Sequence, residues 1–98
     1  MSTTKDYRDY ILDELSILDN ITCKPMMGEY LLYYNNVLCG GIYDDRLLVK
    51  KTKNNEKYNM EESIPYKSAK PMYLVDSDDS KMIKDIVLDT YKDLKVDK

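Results

Sequence analysis

The chain has 98 residues, of which 43% are hydrophobic and 34% charged, with a formal net charge of −3 at pH 7. This composition is typical of one globular domain over residues 1–98 and excludes a disordered chain; the acidic balance disfavours direct nucleic-acid binding, which usually requires a basic surface. The chain has no histidine, which excludes Ser-His-Asp and Cys-His catalysis and histidine-ligated zinc within it.

The first predicted element is a helix over residues 5–18. Apolar side chains recur there at spacings of three and four and form one stripe, made of Tyr7, Tyr10, Ile11, Leu15 and Leu18. Thr3 or Thr4 is a suitable N-cap, and Asp6 lies in the first turn. Residues 19–20 end the helix.

An antiparallel meander follows between residues 24 and 50. It contains two Asn or Asp dipeptides, Asn35-Asn36 and Asp44-Asp45, between apolar runs. Asn and Asp tolerate the positive φ angles of two-residue hairpin turns, so both dipeptides predict hairpins. The run 21–24 before them predicts a further strand, which Pro25 places at an edge or interrupts.

The two turns also predict which side chains share a face of the sheet. Side chains alternate along a strand, so one face is predicted to meet the helices and carries Leu31, Tyr33, Leu38, Gly40, Ile42, Leu47 and Val49. The other face is predicted to be rich in tyrosine and leucine and to carry Tyr30, Leu32, Tyr34, Val37, Cys39, Gly41, Tyr43, Arg46, Leu48 and Lys50. Such a face suggests cover by a partner, a second subunit or another segment of the chain.

The C-terminal half completes an α+β pattern. A short helix capped by Thr52, a strand at 72–75 and a final helix at 78–94 capped by Ser77 are predicted. The final helix has a buried stripe of Ile83, Ile86, Val87, Thr90, Tyr91 and Leu94. We therefore expect two layers, in which an antiparallel sheet of about five strands packs against N- and C-terminal helices.

No signal peptide or membrane span is evident, and we expect a cytoplasmic protein. Cys23 and Cys39 lie in apolar surroundings, where reduced, inert core thiols are expected. Residues 76–80 are acidic but lack the glycine and glutamate of a calcium loop, so they are better explained by helix capping. No cofactor or metal is predicted.

Three segments resemble the TfoX/Sxy N-terminal domain family, namely KPMMGEY at 24–30, GIYDDRLLVK at 41–50 and PYKSAKPM at 65–72. They follow one another in the family's order and spacing over nearly the whole chain. The resemblance implies a secretion-chaperone-like or YgaC-like α+β domain that stands alone. It also implies a link to competence genes, because longer relatives carry a C-terminal domain and act as transcription co-regulators.

The function favoured by these observations is a non-catalytic regulatory or protein-interaction module. We expect it to bind a protein partner or a second copy of itself, through Met26, Met27, Tyr30, Tyr34 and Tyr43. The alternative is a small-ligand binder or enzyme that uses Lys50, Lys70, Asp44 and Asp45, which should then converge in one pocket. A nucleic-acid-binding accessory is the third hypothesis, suggested only by the competence association.

Overall fold

The computed structural model describes residues 3–95. Helices α1 and α2 and strands β1 to β6 span, in chain order, Lys5–Glu14 (α1), Ile21–Met26 (β1), Glu29–Tyr34 (β2), Val37–Ile42 (β3), Leu47–Val49 (β4), Glu62–Ser63 (β5), Met72–Leu74 (β6) and Ser80–Leu94 (α2). A 3₁₀ turn at Glu56–Tyr58 replaces the helix predicted after residue 52, and Asn55, not Thr52, precedes it. All strand pairs are antiparallel, in the order β1-β2-β3-β4-β6-β5. The predicted α+β fold is confirmed, with six strands.

Both predicted hairpin turns are present. Asn35 and Asn36 have φ angles of 50° and 66°, and Tyr34 pairs with Val37 across them. Across Asp44-Asp45, the backbone amides and carbonyls of Tyr43 and Arg46 bond reciprocally at 2.8 and 2.9 Å. The prediction of both turns from Asn and Asp dipeptides is therefore confirmed.

A third turn lies where the sequence predicted continuous strand. Met27 and Gly28 have φ angles of 51° and 87° and connect β1 to β2. Glycine adopts a positive φ readily, but an unbranched apolar residue such as methionine does so only with strain. The sequence prediction failed here because Met27 does not carry the turn chemistry of Asn or Asp.

A β-bulge in β3 changes which side chains share a face. Tyr33 pairs with Leu38, but Leu32 pairs with Gly40, so Cys39 is the extra residue. One inserted residue reverses the alternation of side chains, since that alternation has a period of two. The prediction that Leu31, Tyr33 and Leu38 meet the helices is therefore wrong, because their register was derived without a bulge.

The helices cover one face of the sheet, which we call the inner face. Its buried core consists of Ile11, Leu15, Leu32, Ile42, Leu47, Val49, Val75, Ile83, Ile86 and Val87. The apolar stripes predicted for both helices supply five of these residues, although Tyr10 is 39% exposed. Helix α1 is shorter than predicted and begins at the Thr4 cap, whose hydroxyl accepts from Tyr7 N. Helix α2 is capped by Asp79 instead of Ser77.

Side chains at the sheet turns fix the start of α1. The Oε1 atom of Glu29 accepts hydrogen bonds from the backbone and hydroxyl of Thr3, at 3.0 and 2.7 Å, and from Asp44 N at 3.0 Å. Asp45 Oδ1 accepts from Thr4 N at 2.8 Å. The β1–β2 and β3–β4 turns thus place α1 on the inner face.

Helix α2 is joined to the loop after β4 by buried and half-buried polar contacts. Asn55 is fully buried, and its amide donates to Lys50 O and to Thr90 Oγ1, both at 2.8 Å. The Tyr58 hydroxyl donates to Asp89 Oδ2 at 2.6 Å. Within residues 3–95, neither helix has the length and apolar character needed to cross a bilayer.

Candidate functional site

The other face of the sheet, the outer face, contains a cleft. The cleft has a volume of about 790 Å³ and lies between the meander and the irregular segment 64–71, which we call the strap. Its lining residues are Met26, Leu31, Leu38, Gly40, Tyr43, Lys50, Lys51, Pro65, Tyr66, Ala69, Lys70, Pro71 and Met72. This volume lies within the range of small-molecule sites, roughly 300–1,000 Å³.

Two adjacent glycines of β3 shape this side of the sheet, and Gly40 lines the cleft. A Cβ atom at Gly40 would lie 2.1 Å from Leu48 O, so the close approach of β3 to β4 requires glycine there. A Cβ atom at Gly41 would lie 2.7 Å from the ring of Tyr43. The Tyr43 ring therefore lies directly over the backbone of Gly41, where any larger residue would displace it.

Two tyrosines form an aromatic wall where the strap approaches the sheet. The ring centroids of Tyr43 and Tyr66 are 6.1 Å apart, with an interplanar angle of 51°. Burial, followed by the nearby phenol of Tyr66 and the charge of Glu29, raises the pKa of Tyr43 above its ordinary 10.0. At neutral pH the Tyr43 hydroxyl is therefore protonated and can donate a hydrogen bond.

The charged part of the lining is entirely cationic. It contains Lys50, Lys51 and Lys70 and no carboxylate. The Lys51 ammonium is bound by Glu62 at 2.7 Å, whereas no carboxylate of residues 3–95 lies within 4.0 Å of the ammonium of Lys50 or Lys70. Two lysines thus remain without an acidic partner beside an apolar surface.

The five predicted partner-binding residues do not share one exposed face. Tyr30 and Tyr34 lie on the inner face, where Arg8 packs on the ring of Tyr30 and Tyr91 meets that of Tyr34 at 4.8 Å and 83°. Tyr43 is only 5% exposed. The prediction of a contiguous exposed tyrosine face is therefore wrong, because the register set by the bulge directs Tyr30 and Tyr34 toward the helices.

The two methionines of the set have a different environment. Met26 is half-buried and lines the cleft, and Met27 at the β1–β2 turn is 96% exposed. A role of these residues in binding a partner stays a prediction. Sequence reasoning did not identify Tyr66 and Met72, although an aromatic residue between Pro65 and Pro71 was a signal that this segment packs on something.

The alternative set of lysines and carboxylates converges only in part. Lys50 and Lys70 line the cleft, but Asp44 and Asp45 do not. The Asp45 carboxylate instead accepts from the backbone and hydroxyl of Thr4, at 2.8 and 3.2 Å. The cleft therefore has the groups to bind an anion, but Asp44 and Asp45 contribute no acid or base to it.

The two thiols are in environments that suppress their reactivity. Burial raises the pKa of Cys39 to about 11, and burial also raises the pKa of Cys23 above its ordinary 9.0. Both residues are free cysteines. Since the thiolate is the nucleophile, neither side chain is activated for covalent chemistry at neutral pH.

Comparison with known proteins agrees with the order of motifs in the chain. Residues 13–85 match the TfoX N-terminal domain. The chain is also 30% identical over 78 residues to an uncharacterized 12.7 kDa protein in the trpE 5′ region of Spirochaeta aurantia. The aligned residues cover 78% of this chain and 68% of that protein. No solved structure gives a significant match. With the meander, the Met-Met-Gly turn and the strap all inside the matched residues, the chain belongs to the TfoX N-terminal domain family.

Proposed function

We propose that this chain is a non-catalytic, cytosolic regulatory module that binds a protein partner, or a second copy of itself, through the β1–β2 turn. The observation that carries the proposal is Met27, which is 96% exposed and has a φ of 51°. The chain belongs to the TfoX N-terminal domain family. The link to co-regulators of competence genes that this resemblance implies supports the regulatory part of the role.

Met27 is unusual among the turn residues of this protein. Eight non-glycine residues of the described chain have a positive φ, and six of them are Asn or Asp. Those side chains tolerate the left-handed conformation, whereas methionine pays a conformational penalty of roughly 1 kcal/mol. A residue that is both strained and fully exposed contributes little to folding, and departures from local rules of this kind are typical of functional positions.

The surroundings of the turn are suited to a protein contact. Tyr66 on the strap is 58% exposed and lines the same cleft as Met26, the neighbour of Met27. Methionine is a flexible, polarizable side chain that adapts to a partner's surface, and tyrosine adds apolar area with a polar tip. The turn therefore presents an apolar tip beside a partly exposed strap.

The proposal is tested by comparing Met27→Asp with Met82→Asp. Asp tolerates a positive φ, so Met27→Asp removes the apolar tip without straining the turn. Met82 is 44% exposed in α2 and provides the same change in charge and size on the helical side of the protein. The experiment measures sedimentation of the three purified proteins over a wide concentration range, followed by quantitative affinity capture from an extract of the source cell.

We expect Met27→Asp, but not Met82→Asp, to lose either self-association or specific captured proteins. If Met27→Asp no longer self-associates in sedimentation, the partner is a second copy of the chain. If it sediments like wild type but captures fewer proteins, the partner is a different protein. Equal sedimentation and equal capture by all three proteins would contradict the proposal. Thermal unfolding of each variant shows that any loss is one of contact and not of folding.

A further inference from the structure

The charge distribution around the outer cleft is opposite to that of the whole chain. The chain has 18 acidic and 15 basic residues, yet the cleft is lined by three lysines and by no acidic residue. Glu62 neutralises Lys51, which leaves the ammonium groups of Lys50 and Lys70 at this surface. Beside a low-dielectric apolar wall, such charges attract an anion more strongly than they would in open water.

The rest of the lining is suited to an apolar body. Leu31, Leu38 and Met72 contribute aliphatic surface, and the rings of Tyr43 and Tyr66 form a wall against which a flat group can stack. Tyr43 is 5% exposed, and its ring packs beside that of Tyr66 at the edge of the cleft. A mostly apolar pocket with a few polar groups is the usual architecture of a small-molecule site.

We propose that the outer cleft binds a small amphipathic anion, with an apolar body against Leu31, Leu38 and Met72 and an anionic group held by Lys50 and Lys70. The class includes aryl and alkyl carboxylates, phosphates and sulfonates. This inference goes beyond the protein-binding function and uses a different set of residues from Met27. Variants at Met27 and variants at Lys50 and Lys70 therefore test partner binding and anion binding separately.

Two fluorescent probes that differ only in the presence of a sulfonate group test the proposal. 1-Anilinonaphthalene-8-sulfonate carries a sulfonate, and N-phenyl-1-naphthylamine is the same aromatic body without it. We expect the sulfonate to bind the folded wild-type chain at one saturable site with a blue shift, and the neutral probe to bind about tenfold more weakly. Added salt should weaken binding of the sulfonate and leave binding of the neutral probe nearly constant.

Matched double variants locate the charge effect. Lys50→Gln with Lys70→Gln should weaken binding of the sulfonate about tenfold and leave the neutral probe unaffected. Lys53→Gln with Lys81→Gln makes the same change in net charge outside the lining and should alter neither probe. Ala69→Trp fills the cleft from the strap and should reduce binding of both probes. Cooperative thermal unfolding of each variant excludes binding of the dyes to a partly unfolded protein.

Several results would overturn the proposal. These are the absence of saturable sulfonate binding, equal affinity for the two probes, equal losses in the two double variants, and full binding by Ala69→Trp. Competition then identifies the anionic group: displacement of the sulfonate probe by sodium decanoate indicates a fatty carboxylate, and displacement by phenyl phosphate indicates an aryl phosphate. Displacement by neither compound would also overturn the proposal.

Discussion

The inner face of the sheet is sealed by two helices, whereas the outer face is covered by one irregular segment that leaves a cleft. The inner face buries ten aliphatic side chains and is connected to α2 through Asn55 and Tyr58. Within the strap, a single backbone hydrogen bond, from Ala69 N to Tyr66 O at 3.0 Å, closes a turn. Stability is therefore concentrated on the inner face, and accessible apolar surface on the outer face.

The largest expected effect is at Gly40, next to the bulge that sets which side chains lie on each face of the sheet. Gly40→Ala places a Cβ atom 2.1 Å from Leu48 O, a backbone atom that can move only if β3 and β4 separate. We expect a loss of about 3 kcal/mol or more in the free energy of unfolding. Urea denaturation measures this loss, and a change below about 1 kcal/mol would show that the sheet accommodates a side chain there.

Two neighbours on β2 compare the faces directly. Leu32 is fully buried on the inner face, and Leu31 is half-buried beside the cleft. Truncation should lower the free energy of unfolding by about 3 kcal/mol for Leu32→Ala and by about 1 kcal/mol for Leu31→Ala. Equal losses in urea denaturation would mean that the strap seals the outer face as tightly as the helices seal the inner face.

The buried amide of Asn55 tests the connection between α2 and the loop after β4. Asn55→Ala leaves Thr52 N, Lys50 O and Thr90 without their shared hydrogen-bond partner. We therefore expect the free energy of unfolding to fall by about 2 kcal/mol. The matched control is Asn54→Ala, because Asn54 contacts Asp93 at an exposed position. Its free energy of unfolding should fall by less than about 1 kcal/mol. Equal losses would contradict the central role of the buried amide.

The inner face should also show a pH dependence at Asp89. Burial alone would raise the pKa of Asp89, but the hydrogen bonds from Tyr58 and Lys57, with the charges of Lys57 and Lys92, lower it below its ordinary 3.8. A lowered folded-state pKa stabilises the fold above pH 3.8, and this contribution disappears as the pH falls through the folded-state pKa.

Tyr58→Phe removes the hydroxyl donor and brings the pKa of Asp89 nearer its ordinary value. Wild type should therefore lose more stability than Tyr58→Phe between about pH 5 and about pH 2, by on the order of 1 kcal/mol. Urea denaturation at a series of pH values measures the difference. Parallel pH profiles for the two proteins would show that Asp89 is not coupled to Tyr58.

The smallest expected effect, and the only gain, is at the β1–β2 turn. Met27→Asn replaces a residue at φ 51° with one that favours this conformation, so we expect the free energy of unfolding to rise by about 0.5–1 kcal/mol. Thermal unfolding detects this as a higher midpoint. A lower midpoint would mean that Met27 contributes packing to the fold, which would weaken its assignment to a partner.

Much of the fold could be predicted from local sequence. The dipeptides at 35–36 and 44–45 identified two turns, and the stripes containing Ile11 and Ile83 identified the buried sides of both helices. The short strand Glu62–Ser63 was missed because two residues carry no periodic pattern. Of the candidate site, the sequence supplied Met26, Tyr43, Lys50 and Lys70 but not the fact that they line one cleft.

By itself, the sequence determined the two turns at 35–36 and 44–45 and which side of each helix is apolar, since these depend on φ preferences and spacings within a few residues. Only the tertiary structure decided which face of the meander meets the helices. One unpaired residue, Cys39, shifts the register between β2 and β3 and exchanges the roles of Leu31 and Leu32. A bulge is a property of two strands pairing over a distance, so no single segment of the sequence specifies it.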